Sequence, residues 1–269
     1  MTSDIKEKIY HLETGKGPFI AAAIHDGHFI REELLKKMSI TELGRLREED
    51  PHTGKWTNIA STRIKGLRSR FEFDLNRPRE NAVYINPEDA WNLEIYDTKP
   101  TEREVDISLA YYDRFYSNVH KLLSEFELNY GHFVVFDLHS YNHRRNGPNE
   151  PPQDPELNPE VNVGTGTMNR DYWAPVVDRF IAALRDFDYR GRKLDVRENI
   201  RFRGGYFPRW IHQNFPVSGC ALAIEVKKFF MDEWTGKADM EMVDLITKAL
   251  HSTIPAVKVA LENYADNGR

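Results

Sequence analysis

The sequence predicts an α/β fold in which a mostly parallel or mixed central sheet is covered by helices on both faces. Apolar runs recur along the chain with the length and continuity of buried parallel strands. Segments with the apolar spacing of helices alternate with these runs, as in sheets that are covered on both sides. We find no internal repeat, and 269 residues suffice for one large domain, so a single domain over 1–269 is expected.

The first half of the chain contains one clear buried strand and several helical segments. GPFIAAAIHDG is predicted to form a strand that leads into a loop, and REELLKKM and ITELGRL have helical spacing. SRFEFDLNRP alternates as a strand does until Pro78 ends it. EVDISLAYYDRFYSNVHKLLSEFELNYG has a broad apolar face and predicts a long helix.

The second half contains two runs typical of central strands, HFVVFDLHS and GCALAIEVKKFF. Between them, 142–160 is too rich in proline for regular structure, DYWAPVVDRFIAALRDF is predicted as a helix and RFRGGYFPRWIHQNFP as a loop. The C-terminal MEMVDLITKALHSTIPAVKVALEN is predicted to be helical with an interruption at its proline.

Composition excludes several functional classes. A composition of 40% hydrophobic and 29% charged residues is typical of a soluble globular protein. No apolar run approaches the roughly 20 residues of a membrane span. The polar N-terminal residues lack the pattern of a secretory signal, so a cytoplasmic protein is expected. A net charge of -5 offers no general attraction for nucleic acid. The single cysteine, Cys220, lies in an apolar run and is expected in the core.

Three ionisable residues stand where separate apolar runs end, namely His25, His139 and Glu225. In open α/β sheets, ligands bind beyond the carboxyl ends of the strands, so these residues are expected to converge. Two histidines and a carboxylate suit zinc, which in hydrolytic sites takes three protein ligands and one water. The alternative is that each histidine only caps its strand, but their shared position favours a metal site. Asp137 lies on the same strand face as His139 and is a candidate to orient its ring.

A second cluster, SRFEFDLNRP, is rich in groups that bind carboxylates. The guanidinium forks of Arg70 and Arg77 match a carboxylate, and Asn76 adds amide donors. The cluster therefore indicates a substrate with an acidic group. The alternative is a surface ion pair between Asp74 and an arginine.

Taken in order, these blocks resemble the N-formylglutamate amidohydrolase family, which belongs by fold with the zinc carboxypeptidases and aspartoacylases. The resemblance spans most of the chain and is carried by IHDG, REEDPHTGKW, SRFEFDLNRP, FDLHSYNHR, RFRGGYFPR and LAIEVKKFFMDE. It implies a zinc-carboxypeptidase-like fold and a hydrolase that cleaves the amide bond of an N-acyl amino acid such as N-formylglutamate. It also implies one Zn²⁺ per chain.

The resemblance further implies roles for individual residues at the metal. His25 and His139 are expected to bind zinc, and Glu225 to act as general base. The third ligand is expected to be Asp50 from the acidic stretch, with His28 as the alternative, because zinc carboxypeptidases have a glutamate where this sequence has His28.

On the substrate side, the resemblance implies that Arg70, Asn76 and Arg77 clasp a carboxylate and polarise the scissile carbonyl. Arg209 is expected either to hold a second carboxylate or to be an exposed loop arginine. Two other functions stay open, a carboxypeptidase-like peptidase or deacylase with the same site and a non-catalytic metal-dependent binding module. The acyl group, the amino acid, the metal and the oligomeric state are also open.

Overall fold

The computed structural model describes residues 8–267, with side chains described through 264. A seven-stranded mixed sheet runs through it in the order β1-β3-β2-β4-β7-β5-β6. The strands are β1 (Tyr10–Glu13), β2 (Phe19–Ala23), β3 (Thr62–Gly66), β4 (Phe133–Tyr141), β5 (Val161–Gly164), β6 (Val196–Glu198) and β7 (Gly219–Lys227). The four central strands β3, β2, β4 and β7 are parallel, whereas β1 is antiparallel to β3, and β5 to β7.

Helices cover both faces of the sheet, as predicted. They are α1 (Glu32–Leu35), α2 (Glu42–Glu48), α3 (Thr53–Trp56), α4 (Glu102–Tyr130), α5 (Ala174–Asp186), α6 (Tyr206–Asn214), α7 (Met240–Ser252) and α8 (Ile254–Asn267). The core on one face includes residues of α4 and α6, and the core on the other includes residues of α3, α5, α7 and α8. The α/β fold with a mixed sheet is confirmed. None of the described helices is long and apolar enough to cross a membrane.

The central strands are continuous apolar runs because both of their faces are covered. All nine residues of β4 and all five of β2 are buried. Alternate residues of a strand point to opposite faces, so Val134 and Phe136 pack in one core while Phe133 and Val135 pack in the other. Because β2, β4 and β7 are parallel, their carboxyl ends lie at the same edge of the sheet, and polar residues begin there.

Several local predictions are confirmed. FIAAA, FVVFDLHSY and GCALAIEVK form strands, and the long helix α4 covers the predicted segment. The C-terminal segment divides into α7 and α8 at Thr253, just before Pro255. Segment 142–160 has no regular structure apart from a single 3₁₀ turn at Pro155–Leu157. Cys220 is fully buried in the core.

Two local predictions are wrong. SRFEFDLNRP forms turns instead of a strand, because the Asp74 carboxylate accepts a hydrogen bond from the Asn76 backbone N–H at 2.7 Å and so competes with strand pairing. The segment RFRGGYFPRWIHQNFP contains a helix, α6, instead of only a loop. Asn76 Oδ1 accepts a bond from the Phe207 N–H at 3.0 Å, and this contact caps the first turn of that helix from a distant part of the chain.

The core predicts a contrast between two leucines. Leu222 on β7 is 0% exposed and Leu128 on α4 is 85% exposed. We expect Leu222→Ala to lower the free energy of unfolding by about 2–5 kcal/mol, because it removes buried methyl groups and leaves a cavity. Leu128→Ala should change it by less than about 0.5 kcal/mol. Urea unfolding followed by circular dichroism measures both, and equal effects would contradict the assigned core.

Candidate metal centre and substrate cavity

Three buried side chains converge at the carboxyl edge of the central strands. His25 follows β2, His139 lies in β4, and Asp50 comes directly after α2. The Asp50 backbone N–H donates to the His25 carbonyl at 3.0 Å, which fixes the segment after α2 to the end of β2. One donor atom from each of the three residues lies within 4.8 Å of the other two. The two strand-end histidines therefore lie close together as predicted, and Asp50 joins them from the segment after a helix.

Buried carboxylates orient both imidazole rings. His25 Nε2 lies 2.7 Å from Asp74 Oδ1, and His139 Nε2 lies 3.0 Å from Asp137 Oδ1. With a proton on each Nε2, the Nδ1 lone pairs of the two rings point towards the Asp50 carboxylate. The Asp137 contact is the one predicted from its place on the strand.

The donor set fits a divalent metal ion. His139 Nδ1 lies 3.0 Å from Asp50 Oδ2, and His25 Nδ1 lies 3.4 Å from the same oxygen. His25 Nδ1 is buried and has no hydrogen-bond partner among the described atoms. Two imidazole nitrogens and one carboxylate oxygen are ligands that zinc accepts. An unpartnered buried imidazole nitrogen beside a carboxylate oxygen fits a site for a metal ion.

Asp50, not His28, completes this group. The side chain of His28 is 50% exposed, and its Nδ1 lies 2.7 Å from Glu49 Oε2. That hydrogen bond raises the pKa of His28, and His28 contributes no atom to the group of donor atoms formed by His25, Asp50 and His139. The geometry therefore favours Asp50 over His28 as the candidate for the third ligand.

Glu225 lies beside the candidate metal ligands. It is the residue of β7 paired with His139 of β4 in the parallel register, and it lines the same cavity. Burial raises the pKa of Glu225 to about 7, although the positive charge on His139 opposes the shift. Burial also acts to raise the pKa of Asp50, but the His139 and His25 side chains beside it hold that pKa well below its usual value. The site thus combines an ionised carboxylate with one that titrates near neutral pH.

Asp74 is the anchor of the turns at 69–77. Its carboxylate accepts hydrogen bonds from Arg70 Nη2 at 2.8 Å, from the Tyr84 hydroxyl and from His25. Burial would raise the pKa of Asp74, but the Arg70 guanidinium holds it well below the usual value. An ion pair between Asp74 and an arginine was the alternative reading of this cluster, and it does form. The pair is buried, with Asp74 0% exposed, and Asp74 also holds His25, a candidate metal ligand.

A cavity of about 250 Å³ opens in front of these groups. Arg70, Asn76 and Arg77 line it together with the candidate metal ligands. The Asn76 side chain uses its Oδ1 on the Phe207 N–H, which leaves the amide nitrogen for a ligand. Arg209 is exposed on α6 and is not among the residues that line this cavity, so its role stays a prediction.

The sequence did not single out several polar residues of the cavity wall, namely Glu48, Asn142, Arg145, Arg203 and Lys228. Arg145 Nη2 lies 3.0 Å from Glu48 Oε2, so the irregular segment 142–160 is tied to the end of α2. The buried ammonium of Lys228 donates to the carbonyls of Arg47 and Glu49 at 2.6 and 2.7 Å. The acidic stretch REEDPHTGKW contains Glu48 and so marks it in the sequence. No sequence pattern marks the basic residues, because their position in the cavity depends on tertiary contacts.

Comparisons with known proteins agree with this architecture. The family model of N-formylglutamate amidohydrolase matches residues 17–231. The structure is similar to the crystal structure of N-formylglutamate amidohydrolase from Ralstonia eutropha JMP134, with a TM-score of 0.68, 18% identity and coverage of 97% of this chain and 99% of that chain.

A gene product from Agrobacterium tumefaciens is also similar in structure, with a TM-score of 0.59, 16% identity and coverage of 95% of this chain and 98% of that chain. No curated protein matches the sequence significantly. The fold relation to the zinc carboxypeptidases and aspartoacylases stays a prediction. Because the family model matches most of this chain, the chain belongs to the N-formylglutamate amidohydrolase family.

Proposed function

We propose that this chain is a metal-dependent amidohydrolase that cleaves the amide bond of N-formylglutamate or of a closely similar N-acyl amino acid. The observation that carries the proposal is the convergence of the His25, Asp50 and His139 donor atoms in one cavity with Glu225. Family membership supports the reaction class. The cavity of about 250 Å³ is smaller than the roughly 300–1,000 Å³ of pockets for drug-sized ligands, which favours a small metabolite over a peptide.

The proposed metal is zinc, one ion per chain, held by Nδ1 of His25, Nδ1 of His139 and the carboxylate of Asp50. When bound, such an ion lowers the pKa of water towards about 7 and polarises a carbonyl oxygen. Asp74 and Asp137 keep the two imidazoles in the tautomer that ligation requires, because each accepts the Nε2 proton.

Glu225 is the proposed general base. It accepts one proton from the attacking water while the water oxygen bonds to the amide carbon. The same carboxyl then delivers that proton to the departing nitrogen as the C–N bond breaks, which releases formate or another carboxylate and the free amine. A pKa raised to about 7 suits both transfers, because efficient proton transfer requires a pKa near the working pH.

The arginines are proposed to bind the charged parts of the substrate. Asp74 accepts a hydrogen bond from Arg70 Nη2 at 2.8 Å and the Glu48 carbonyl accepts one from Nη1 at 3.2 Å, whereas Nε has no partner among the described atoms. The N–H groups that these contacts leave are proposed to stabilise the oxyanion that develops on the carbonyl.

Arg77 Nε lies 4.0 Å from Asp74 Oδ2, a looser ion pair than that of Arg70, and Nη2 donates to the Asp89 carbonyl at 3.3 Å. The side chain is 35% exposed, and its other N–H groups are proposed to bind the substrate carboxylate. Asn76 adds an amide donor beside it.

Two rival functions use the same site. A carboxypeptidase-like peptidase or deacylase would need room for a longer acyl group, and the small cavity counts against it. A non-catalytic metal-binding module would have no use for a carboxyl group whose pKa is raised to about 7 next to the ligands. Both are separated from the proposed function by measuring hydrolysis of N-acyl amino acids with acyl groups of increasing length.

Metal content is the first test. We expect about one zinc ion per chain in protein purified without chelators, and His139→Ala should lose both the metal and the activity. His28→Ala is the matched control and should retain the metal, because His28 contacts Glu49 instead of the ligand group. Elemental analysis measures both variants. A fully active preparation without any transition metal would contradict the proposed mechanism.

Glu225→Gln separates proton transfer from metal binding. The amide keeps the shape of the side chain but cannot accept the water proton, so we expect kcat to fall about 10²–10⁴-fold. The metal content should be unchanged. Steady-state kinetics and elemental analysis on the same preparation check this. If the variant lost its metal, Glu225 would be a ligand and the assignment of the base would be wrong.

Recognition of the substrate carboxylate is tested at Arg77. Arg77→Met should raise KM for N-formylglutamate about 10–100-fold, because it removes charge-assisted hydrogen bonds, and should change kcat much less. Arg79→Met is the control, since Arg79 lies two positions away and pairs with Asp113 on the surface at 2.8 Å. Substrate amidated at the α-carboxylate should be a poor substrate of the parent. Equal efficiency on the acid and its amide would refute this role.

A further inference from the structure

A short loop forms part of the wall of the metal cavity. The Gln153 N–H donates to the His143 carbonyl at 2.7 Å and so closes residues 143–153 into one loop, which we call the entrance loop. Arg145 of this loop lines the cavity that also contains the candidate metal ligands. The position of the entrance loop therefore determines how open that cavity is.

The tip of the entrance loop is not tied to the sheet. Residues 146–152 are mostly exposed. Their described hydrogen bonds stay within the loop, from Arg144 Nη2 to the Pro148 carbonyl at 2.9 Å and from the Glu150 N–H to the Gly147 carbonyl at 3.3 Å. The loop is therefore held at its base. Compact surface loops whose ends lie close together are frequently functional.

One buried carboxylate holds the base of the entrance loop. Glu233, in the turn after β7, is 1% exposed. Its Oε1 accepts hydrogen bonds from the His143 N–H at 2.6 Å and from the Arg144 N–H at 3.1 Å, and His143 Nδ1 lies 2.7 Å from the same oxygen. Burial acts to raise the pKa of Glu233, but contacts with the His143 ring and the two N–H groups hold that pKa below its usual value. The carboxylate is therefore ionised, and charged acceptors form the stronger hydrogen bonds.

The neighbours of Glu233 show that this contact is specific to one residue of the turn. The Trp234 indole N–H donates to the Arg144 carbonyl at 2.8 Å, so both backbone groups of Arg144 are bound from the same turn. The Asp232 carboxylate, by contrast, accepts from the N–H groups of Trp234 and Thr235 at 3.0 and 2.8 Å. Asp232 thus stabilises the turn itself, whereas Glu233 connects the turn to the entrance loop.

Arg145 extends this anchor to the metal centre. It directly follows the fixed backbone of Arg144, and its Nη2 lies 3.0 Å from Glu48 Oε2. The side chain of Glu48 is 2% exposed and that of Arg145 is 34% exposed, so the ion pair spans from the buried cavity wall to the solvent. Glu48 lies two positions before the candidate ligand Asp50. The pair therefore covers one side of the metal centre.

We propose that Glu233 is a positioning residue that holds the entrance loop closed over the candidate metal centre. When its contacts break, the base of the loop is released, Arg145 separates from Glu48 and the cavity opens to solvent. Closure excludes water and so strengthens the electrostatic interactions inside a site. The inference rests on the proposed function for the metal in the cavity and adds to it a residue that controls access.

Hydrogen exchange followed by mass spectrometry on the full chain tests this role. Glu233→Ala should speed exchange of the amides in 142–152 about 10–100-fold, because the N–H groups lose a charged acceptor, and should leave β4 and β7 protected. Glu233→Gln should stay close to the parent, since its amide oxygen still accepts both N–H groups. Asp232→Ala is the matched control and should speed exchange only in its own turn.

Three outcomes of this experiment would overturn the role of Glu233. They are exchange at the parent rate in Glu233→Ala, equal acceleration in the entrance loop and in the central strands, and equal acceleration of the loop by Asp232→Ala. The second would indicate a loss of global stability instead of a local release. If Glu233→Ala fails to fold, Glu233→Asp replaces it. Its shorter side chain reaches the N–H groups less well and should give a smaller acceleration confined to the same loop.

Access to the metal is measured by the rate at which EDTA removes zinc from the loaded protein. Glu233→Ala and Arg145→Met should each release zinc about 10–100-fold faster than the parent, because both remove a contact that keeps the same wall closed. Glu233→Gln should release zinc at nearly the parent rate. Parent-like release in both Glu233→Ala and Arg145→Met would show that the entrance loop does not control access.

These measurements separate the inference from the proposed function. If the parent hydrolyses no N-formyl amino acid but the variants show the local changes in exchange, the proposed reaction fails and the role of Glu233 stands. If the parent hydrolyses N-formylglutamate and neither exchange nor zinc release changes in Glu233→Ala, the reaction stands and the role of Glu233 fails. If the chain binds no zinc, exchange of the entrance loop alone decides whether Glu233 holds it.

Discussion

The hydrogen bonds between each imidazole Nε2 and a buried carboxylate are the constraint on which the site depends. His25 is held by Asp74 at 2.7 Å and His139 by Asp137 at 3.0 Å. These contacts fix the tautomer of each ring and turn both Nδ1 atoms towards Asp50. Removing one partner of a buried charged pair typically costs about 3–5 kcal/mol, because the remaining group stays buried without compensation. Asp74 and Asp137 are therefore as much a part of the site as the histidines that they hold.

Burying so many carboxylates requires nearby positive charge, and the fold supplies it in two ways. Arg70 pairs directly with Asp74. Lys228 acts indirectly, since its ammonium donates to the carbonyls of Arg47 and Glu49 at the end of α2, just before Asp50. Lysine at a helix C-terminus also stabilises the helix dipole. Because Lys228 follows β7, this contact joins the strand of Glu225 to the segment that carries Asp50.

The sequence predicts the parts of the site that lie on central strands. A buried parallel strand is a continuous apolar run, so the first polar residues after such a run, His25 and His139, mark the sheet edge. The DLNRP block misleads, because its alternation matches a strand while the Asp74 side chain replaces strand pairing. Asn142 and Arg203 carry no local signal, since their place in the cavity depends on how distant turns pack. Arg209, for which the sequence leaves a second carboxylate site and an exposed arginine open, is exposed on α6 and does not line the cavity, so its role stays a prediction.

The cavity residues divide between the central sheet and irregular segments, and these two parts differ in how freely their sequence can change. The candidate metal ligands and Glu225 lie on or directly beside elements of the central sheet, and the fold is similar to that of a protein of 18% identity at a TM-score of 0.68. The other residues of the cavity wall lie largely on irregular segments, at 69–77, 142–160 and 201–205. Loops tolerate substitution because few backbone hydrogen bonds depend on them. Residues on the sheet can therefore stay the same while those on the loops change. The charge and hydrogen bonding of the cavity wall, more than the fold, then determine which amino acid is preferred.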